Sequence, residues 1–314
     1  MLNDILQEKK CFKLVCGAGN EDISEIEKLV YLYSLAGCNF FDLCAKPKVV
    51  QAAKEGLKKA GIKKDRYLCV SVGLKGDPHM NKAFINDNCI SCKKCEKVCI
   101  DHAIKNGIIE KAKCIGCAKC LYVCKNNAID MISETKDLKE ILPPIIDDGI
   151  DCIEFHAISD NENDIYKKWD EINSLYDGIL SICIDRSNLS NKALIKRLTG
   201  MLKYRKPYTT IIQADGSPMS GGQDNYKTTL QAVATAEIVQ NQGFETYLLL
   251  SGGTNSKTSE LAKMCGIQYN GISIGSYARK IVKEYIERDD FLKNKEIFNK
   301  ALKTAKHLVD CCLN

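Results

Sequence analysis

Cys89, Cys92, Cys95 and Cys99 follow one another as C-x2-C-x2-C-x3-C, and Cys114, Cys117, Cys120 and Cys124 repeat that spacing 25 residues later. The echo extends to Val98/Val123, Ala103/Ala128 and Ile104/Ile129, which marks an internal duplication. Thiolates at such spacing hold zinc, hold iron–sulfur clusters or pair as disulfides. Zinc knuckles usually supply two ligands each, so three cysteines within seven residues, twice over, would leave ligands unused. Disulfides need an oxidising compartment that nothing else in the chain supports. Two [4Fe–4S] clusters are the expected chemistry.

Both runs match the pattern of bacterial two-cluster ferredoxins, in which three close cysteines bind one cube and the fourth crosses to the other. On that pattern Cys89, Cys92, Cys95 and Cys124 hold one cluster, and Cys114, Cys117, Cys120 and Cys99 the other. The proline that usually follows each fourth cysteine is replaced by Ile100 and Lys125, which alters the local turn and not the ligands.

These runs interrupt a chain whose remainder alternates strand and helix. Strands are expected at 12–19, 39–45, 67–73, 151–157, 178–185, 208–215, 246–251 and 271–275, each followed by a helical stretch, with the cysteine segment after the third. Setting aside about 50 residues leaves roughly 264 of the 314, near the ~250 of one large (β/α)8 barrel. The predicted fold is therefore α/β, a TIM-like barrel with an inserted bacterial-type two-[4Fe–4S] ferredoxin module; an open doubly wound sheet is the alternative. Expected boundaries are 12–76 for strands one to three, 77–132 for the insert, 133–290 for the remaining barrel and 291–314 for a helical tail.

Side-chain alternation then indicates what lines the barrel. Glu154 and His156 share one face of the fourth strand, Asp42 and Cys44 of the second, and Cys69 and Ser71 of the third. Ser181, Cys183 and Asp185 do so on the fifth, Gln213 and Asp215 on the sixth, and Ser273 lies on the eighth. Polar groups converging near strand C-terminal ends point to a site, because parallel strands buried on both faces usually read as continuous Val, Ile and Leu. Glu154, His156 and Asp215 are the expected proton-transfer residues. After the seventh and eighth strands, Gly252, Gly253, Thr254, Asn255, Gly275, Ser276 and Arg279 stand where barrels commonly bind phosphate. The segment from Asp215 to Asp224, rich in glycine and small polar residues, reads as a lid or ligand loop.

Charge and hydropathy narrow the partners. The excess of basic over acidic residues, 45 to 40, is mild and dispersed, so no nucleic-acid surface is expected. No apolar run approaches a membrane span and no leader opens the chain, so a cytoplasmic protein without a membrane partner is expected. The remaining cysteines sit mostly in apolar runs, as small buried hydrophobes.

Phe12-Lys-Leu-Val-Cys-Gly-Ala18, Asp77-Pro-His79, Ile153-Glu-Phe-His156, Gln213-Ala-Asp-Gly-Ser-Pro-Met-Ser-Gly221, Gly252-Gly-Thr-Asn255 and Gly275-Ser-Tyr-Ala-Arg-Lys280, with the cysteine segment, give the chain its family likeness. It resembles the light-dependent period protein (LdpA) family of cyanobacteria and plastids over most of its length. The resemblance implies an iron–sulfur protein that senses redox state, linked in cyanobacteria to input of the circadian clock.

Two functions are expected from this reading. In one, the clusters exchange electrons with a ligand over the barrel, in electron transfer or as a ferredoxin-like or flavin-dependent oxidoreductase. An FMN or another phosphate-bearing small ligand at the glycine turns would suit, with a donor or acceptor protein or small redox molecule as partner. In the other, the protein is a non-catalytic redox sensor.

Overall fold

The computed structural model describes residues 1–17, 19–62, 64–75, 77, 81–133, 137–159, 161–186, 189–216 and 222–313. Its strands are β1 (Cys11–Val15), β2 (Phe40–Cys44), β3 (Tyr67–Gly73), β4 (Asn81–Ile85), β5 (Ile104–Lys105), β6 (Ile108–Ile109), β7 (Ile129–Ser133), β8 (Cys152–His156), β9 (Ile179–Asp185), β10 (Thr210–Asp215), β11 (Tyr247–Ser251) and β12 (Gly271–Ile274). Helices α1 (Leu2–Gln7), α2 (Ile23–Ala36), α3 (Pro47–Ala60), α4 (Lys94–Val98), α5 (Lys119–Val123) and α6 (Leu138–Asp147) lie in the first half. The second half holds α7 (Glu162–Leu175), α8 (Asn191–Leu202), α9 (Tyr226–Gln240), α10 (Thr258–Met264), α11 (Ser276–Ile286) and α12 (Lys295–Leu313).

The long strands close into a parallel barrel in the order β1-β12-β11-β10-β9-β8-β3-β2. This is the expected (β/α)8 architecture, and the doubly wound alternative falls away because β1 pairs with both β2 and β12. Alternate residues divide the barrel as their parity dictates: Phe12, Leu14, Val70, Phe155, Ile182 and Ile212 face the helices and join one apolar core. The residues between them fill the interior. Its floor is apolar, with Cys11, Phe40, Cys69, Cys152 and Leu249 packed against Leu2, Ile5 and Leu6 of α1, which closes the bottom. Above that floor the interior becomes polar. Helix starts are fixed by side chains such as Asp22, which accepts from Ser24 and Glu25 N–H, and Ser190, which accepts from Ala193 N–H.

Between β3 and α6, β4 pairs antiparallel with β7 and β5 with β6, while α4 and α5 lie within the two cysteine runs, each just ahead of the fourth cysteine. This insert sits on the barrel mouth. Lys82 Nζ donates to the carbonyls of Gly19 at 2.5 Å, Lys111 at 2.9 Å and Cys114 at 2.7 Å, and Glu21 N–H donates to Ala112 at 2.8 Å. From α11, Lys283 donates to the carbonyl of Ile100. No helix among the described residues is long and apolar enough to cross a membrane.

Candidate functional site

At mid-height in the barrel a lysine that sequence reasoning passed over organises the interior. Lys13 is fully buried; its Nζ donates to Glu154 Oε2 at 2.5 Å and Gln213 Oε1 at 3.0 Å, and lies 3.8 Å from Asp42 Oδ2. Its signal was the parity of β1, where position 13 falls inward between outward Phe12 and Leu14. Ser181 donates to Glu154 Oε2 at 2.8 Å, Gln213 Nε2 to Glu154 Oε1 at 3.0 Å, and Ser71 to Asp42 Oδ1 at 2.6 Å. The strand register places these groups side by side, since Glu154 is paired with Ser71 on one side and Ser181 on the other.

Burial would lift the Glu154 carboxyl, yet the Lys13 ammonium and the His156 ring outweigh it and hold the group below the usual carboxylate range. Burial would likewise depress Lys13, but Asp42 and Glu154 keep the ammonium well above its ordinary value. A lysine so held stays charged and is no nucleophile. For Asp42 burial wins over Lys13, and its carboxyl is raised.

One layer higher, His156 Nδ1 lies 2.9 Å from Asp77 Oδ2 and Nε2 lies 3.5 Å from Glu154 Oε1. Against the opposing effect of burial, Asp77 and Glu154 raise the ring well above the ordinary histidine value. Asp77 reaches His156 only because residue 73 is glycine: a Cβ there would overlap the Asp77 carboxylate. In the sequence Asp77 stands out only as part of the Asp77-Pro-His79 motif, because nothing local ties it to a histidine 79 positions later. Beside them Cys183 Sγ lies 3.5 Å from Asp215 Oδ2, and burial followed by Asp215 pushes the thiol up. Glu154, His156 and Asp215 are therefore neighbours in one buried group. The side chain of Asp185 lies outside the described residues.

A cavity of about 80 Å³ opens directly above. Asp42, Glu154, His156, Cys183, Gln213 and Asp215 form its base, and Gly252, Gly253, Thr254, Gly275, Ser276 and Arg279 its rim. Gly252 and Gly253 have φ of 67° and 77°, a conformation that favours glycine, and Gly275 caps α11 so that this helix points its N-terminus at the rim. Arg279 is nine-tenths buried; its Nη1 donates to Val15 O at 2.9 Å, and its Nε has no hydrogen-bond partner among the described residues. That is a fitting lining for an anion. Asn255 is not part of the cavity lining. Its amide donates to Gln223 O, Asn225 O and Thr228 Oγ1, so it pins the chain ahead of α9. Thr254 lines the rim while giving its hydroxyl to Ser273 O. Of the expected lid at 215–224, residues 217–221 lie outside the described residues, as do Ala18, Pro78 and His79. Past Ser276 and Arg279 the mouth widens into a cleft of about 820 Å³ that includes Lys119, Lys227, Lys280 and Lys283.

The eight cysteines of the duplicated runs line two separate hollows. Cys89, Cys92 and Cys95 share one of about 250 Å³ with Cys124, whereas Cys114, Cys117 and Cys120 share a tighter one of about 20 Å³ with Cys99. Ala103 N–H is 3.3 Å from Cys99 Sγ, Ala128 N–H 3.3 Å from Cys124 Sγ and Ala83 N–H 3.4 Å from Cys114 Sγ. Burial pushes the thiols of Cys95, Cys99 and Cys120 up, to about 11 for Cys120, so a metal must displace their protons to bind. Ile115, between two of these cysteines, lines both the second hollow and the barrel cavity.

Comparison with known proteins gives three findings. The family model described as the light dependent period A C-terminal domain matches residues 144–311. A protein of Synechococcus elongatus named "Light dependent period A" is 30% identical over 299 residues, covering 90% of this chain and 84% of its own. Among solved structures, a tryptophan synthase of Mycobacterium tuberculosis superposes with TM-score 0.51 over 100% of this chain and 97% of its own at 8% identity, a likeness of fold alone. A truncated 3-deoxy-D-arabino-heptulosonate 7-phosphate synthase of Thermotoga maritima gives TM-score 0.47 at 10% identity, over 94% of this chain and 83% of its own.

Proposed function

The chain belongs to the light dependent period A family, and on that premise we propose that it is an iron–sulfur redox protein serving a ligand site in its barrel mouth. The observation that carries this reading is Ile115, which backs the hollow of Cys99, Cys114, Cys117 and Cys120 on one side and the ligand cavity on the other. Two [4Fe–4S] clusters, held by the crossed cysteine sets, would supply one-electron transfer. The donor sets fit such groups, since each hollow gathers four thiols, one of them from the opposite run. The chain's own part is to position and bind. Lys82, through Gly19 O, and Lys283, through Ile100 O, clamp the insert to the mouth, and Gly252, Gly253, Gly275, Ser276 and Arg279 seat a phosphate, as of FMN or a phosphorylated metabolite. Isolated without oxygen, the protein should contain about eight iron and eight sulfide per chain and release a phosphate-bearing molecule on denaturation. Stoichiometric zinc without sulfide would overturn the proposal.

Two substitutions separate the parts. A Cβ at Gly275 would lie 3.2 Å from Val15 Cβ and 3.6 Å from Arg279 Nη1. Gly275→Val should therefore weaken FMN or phosphate binding by about tenfold or more, roughly 1.4 kcal/mol, with iron content unchanged; calorimetric titration measures it. Lys82→Met removes a cation held 2.7 Å from Cys114 O. Because a nearby positive charge favours the reduced cluster, the potential of one centre should become more negative while the other stays fixed, as read by EPR-monitored redox titration.

A second reading, a non-catalytic redox sensor, is favoured by the state of Glu154. Both its oxygens are bonded, to Lys13, Ser181 and Gln213, and its charge is held, so it has no proton to exchange with a ligand. Turnover with reduced ferredoxin or flavodoxin and the released ligand separates an oxidoreductase from a sensor.

A further inference from the structure

Glu154, His156 and Cys183 stand on two adjacent strands at the base of the cavity, and His156 pairs directly with Cys183 in the register of β8 and β9. One carboxylate oxygen, one ring nitrogen and the sulfur all lie within 4.8 Å of one another. We propose that these three residues form a mononuclear divalent-metal site, distinct from the cysteine-rich insert, for a borderline cation of the zinc or ferrous type.

Three features of the geometry support it. First, the 3.5 Å between His156 Nε2 and Glu154 Oε1 matches the ligand separation of about 3.3–3.8 Å that tetrahedral bonds of 2.0–2.3 Å require. Second, the outer atoms are already held as metal ligands usually are. Asp77 takes His156 Nδ1 at 2.9 Å, which directs Nε2 to the cation; Lys13 and Ser181 hold Glu154 Oε2, while Oε1 accepts from Gln213 Nε2 at 3.0 Å and keeps a second lone pair for the cation. Third, the set mixes one sulfur, one imidazole and one carboxylate, which suits zinc and iron better than magnesium or calcium. With only three protein ligands, all of which line the cavity, the fourth position is open to water or a bound ligand. Binding releases the Cys183 thiol proton and the Nε2 proton of a charged His156 ring to solvent, so sulfur and nitrogen each give a lone pair to the cation.

Zinc alone is the probe, added to anaerobically purified, iron-loaded protein after a mild chelator wash and followed by desalting. One zinc per chain is expected, with iron and sulfide unchanged. Zinc-edge X-ray absorption should show one sulfur at about 2.3 Å and the other neighbours as nitrogen or oxygen at about 2.0–2.2 Å. Asp77→Asn should weaken zinc binding by about 10–100-fold, and Cys183→Ala should abolish the sulfur neighbour. No retained zinc, a four-sulfur shell or an unchanged spectrum in Cys183→Ala sinks the inference. The wild-type spectrum decides the matter if the variants do not fold. Iron is counted in the same samples, so failure of the cluster reading shows as missing iron and failure of this one as missing zinc.

Discussion

Replacing Lys13 by methionine should destabilise the barrel by about 3–5 kcal/mol, the cost of removing one partner from a buried ion pair. Lys13 has no solvent exposure and Glu154 has 1%, so water cannot take the place of the missing ammonium. Methionine matches the length of the lysine stem, and packing is therefore nearly conserved. What remains is a carboxylate bonded to Ser181 and Gln213 in a medium of low dielectric, with Asp42 nearby. Urea unfolding at neutral pH, read from the fluorescence of Trp169, measures the loss. That residue is the only tryptophan, is buried and packs on Phe155 of the same strand as Glu154. Combining Lys13→Met with Glu154→Gln removes both charges, and the new amide can donate to Gln213 Oε1, which Lys13 has left. The double variant should be more stable than Lys13→Met alone. A loss under about 1 kcal/mol for the single variant would mean the interior is wetter than its exposure states.

This pair also shows where the sequence stops being readable. Strand parity placed Asp42, Ser71, Glu154, Ser181 and Gln213 on one surface, because alternation is a local property of the backbone. The same parity applies to Lys13, yet a lone lysine in Phe12-Lys-Leu-Val reads equally as a strand edge until the barrel closes around it. Asp77 was beyond reach for another reason. Its partner His156 lies on the far side of the insert, and the contact depends on the missing Cβ of Gly73, a fact of three dimensions. The glycine turns were legible as turns, and their rim positions followed from the barrel. Asn255 was grouped with them by adjacency alone. Its side chain points back to Gln223 and Asn225, which spacing along the chain does not encode. The pairing of cysteines across the two runs was inferred from spacing, and the two hollows now give it a geometric form that can be tested.

Cys124→Ser should cost the protein about half its iron, roughly four of eight atoms per chain. The centre lost should be the one bound by the first run, although Cys124 belongs to the second. The hollow that Cys124 lines is that of Cys89, Cys92 and Cys95, and the hollow of Cys114, Cys117 and Cys120 takes Cys99 instead. Serine keeps the shape of the side chain while replacing a soft thiolate by a hydroxyl that holds iron poorly. Iron content alone cannot tell crossed from uncrossed ligation, since either predicts one damaged centre, but a pair of double variants can. If ligation is crossed, Cys92→Ser with Cys124→Ser strikes the same centre twice and leaves about four irons, whereas Cys117→Ser with Cys124→Ser strikes both and leaves almost none. Uncrossed ligation reverses these two outcomes. Iron and sulfide analysis of the four anaerobic preparations, with Mössbauer spectra to identify the surviving centre, therefore decides the connectivity. The surviving centre in Cys124→Ser should also be the one whose potential responds to Lys82→Met, because Lys82 bonds the carbonyl of Cys114. If the centre that answers to Lys82 disappears with Cys124, the crossed sets are wrong, and Cys124 belongs with Cys114, Cys117 and Cys120 in the cluster beside Ile115.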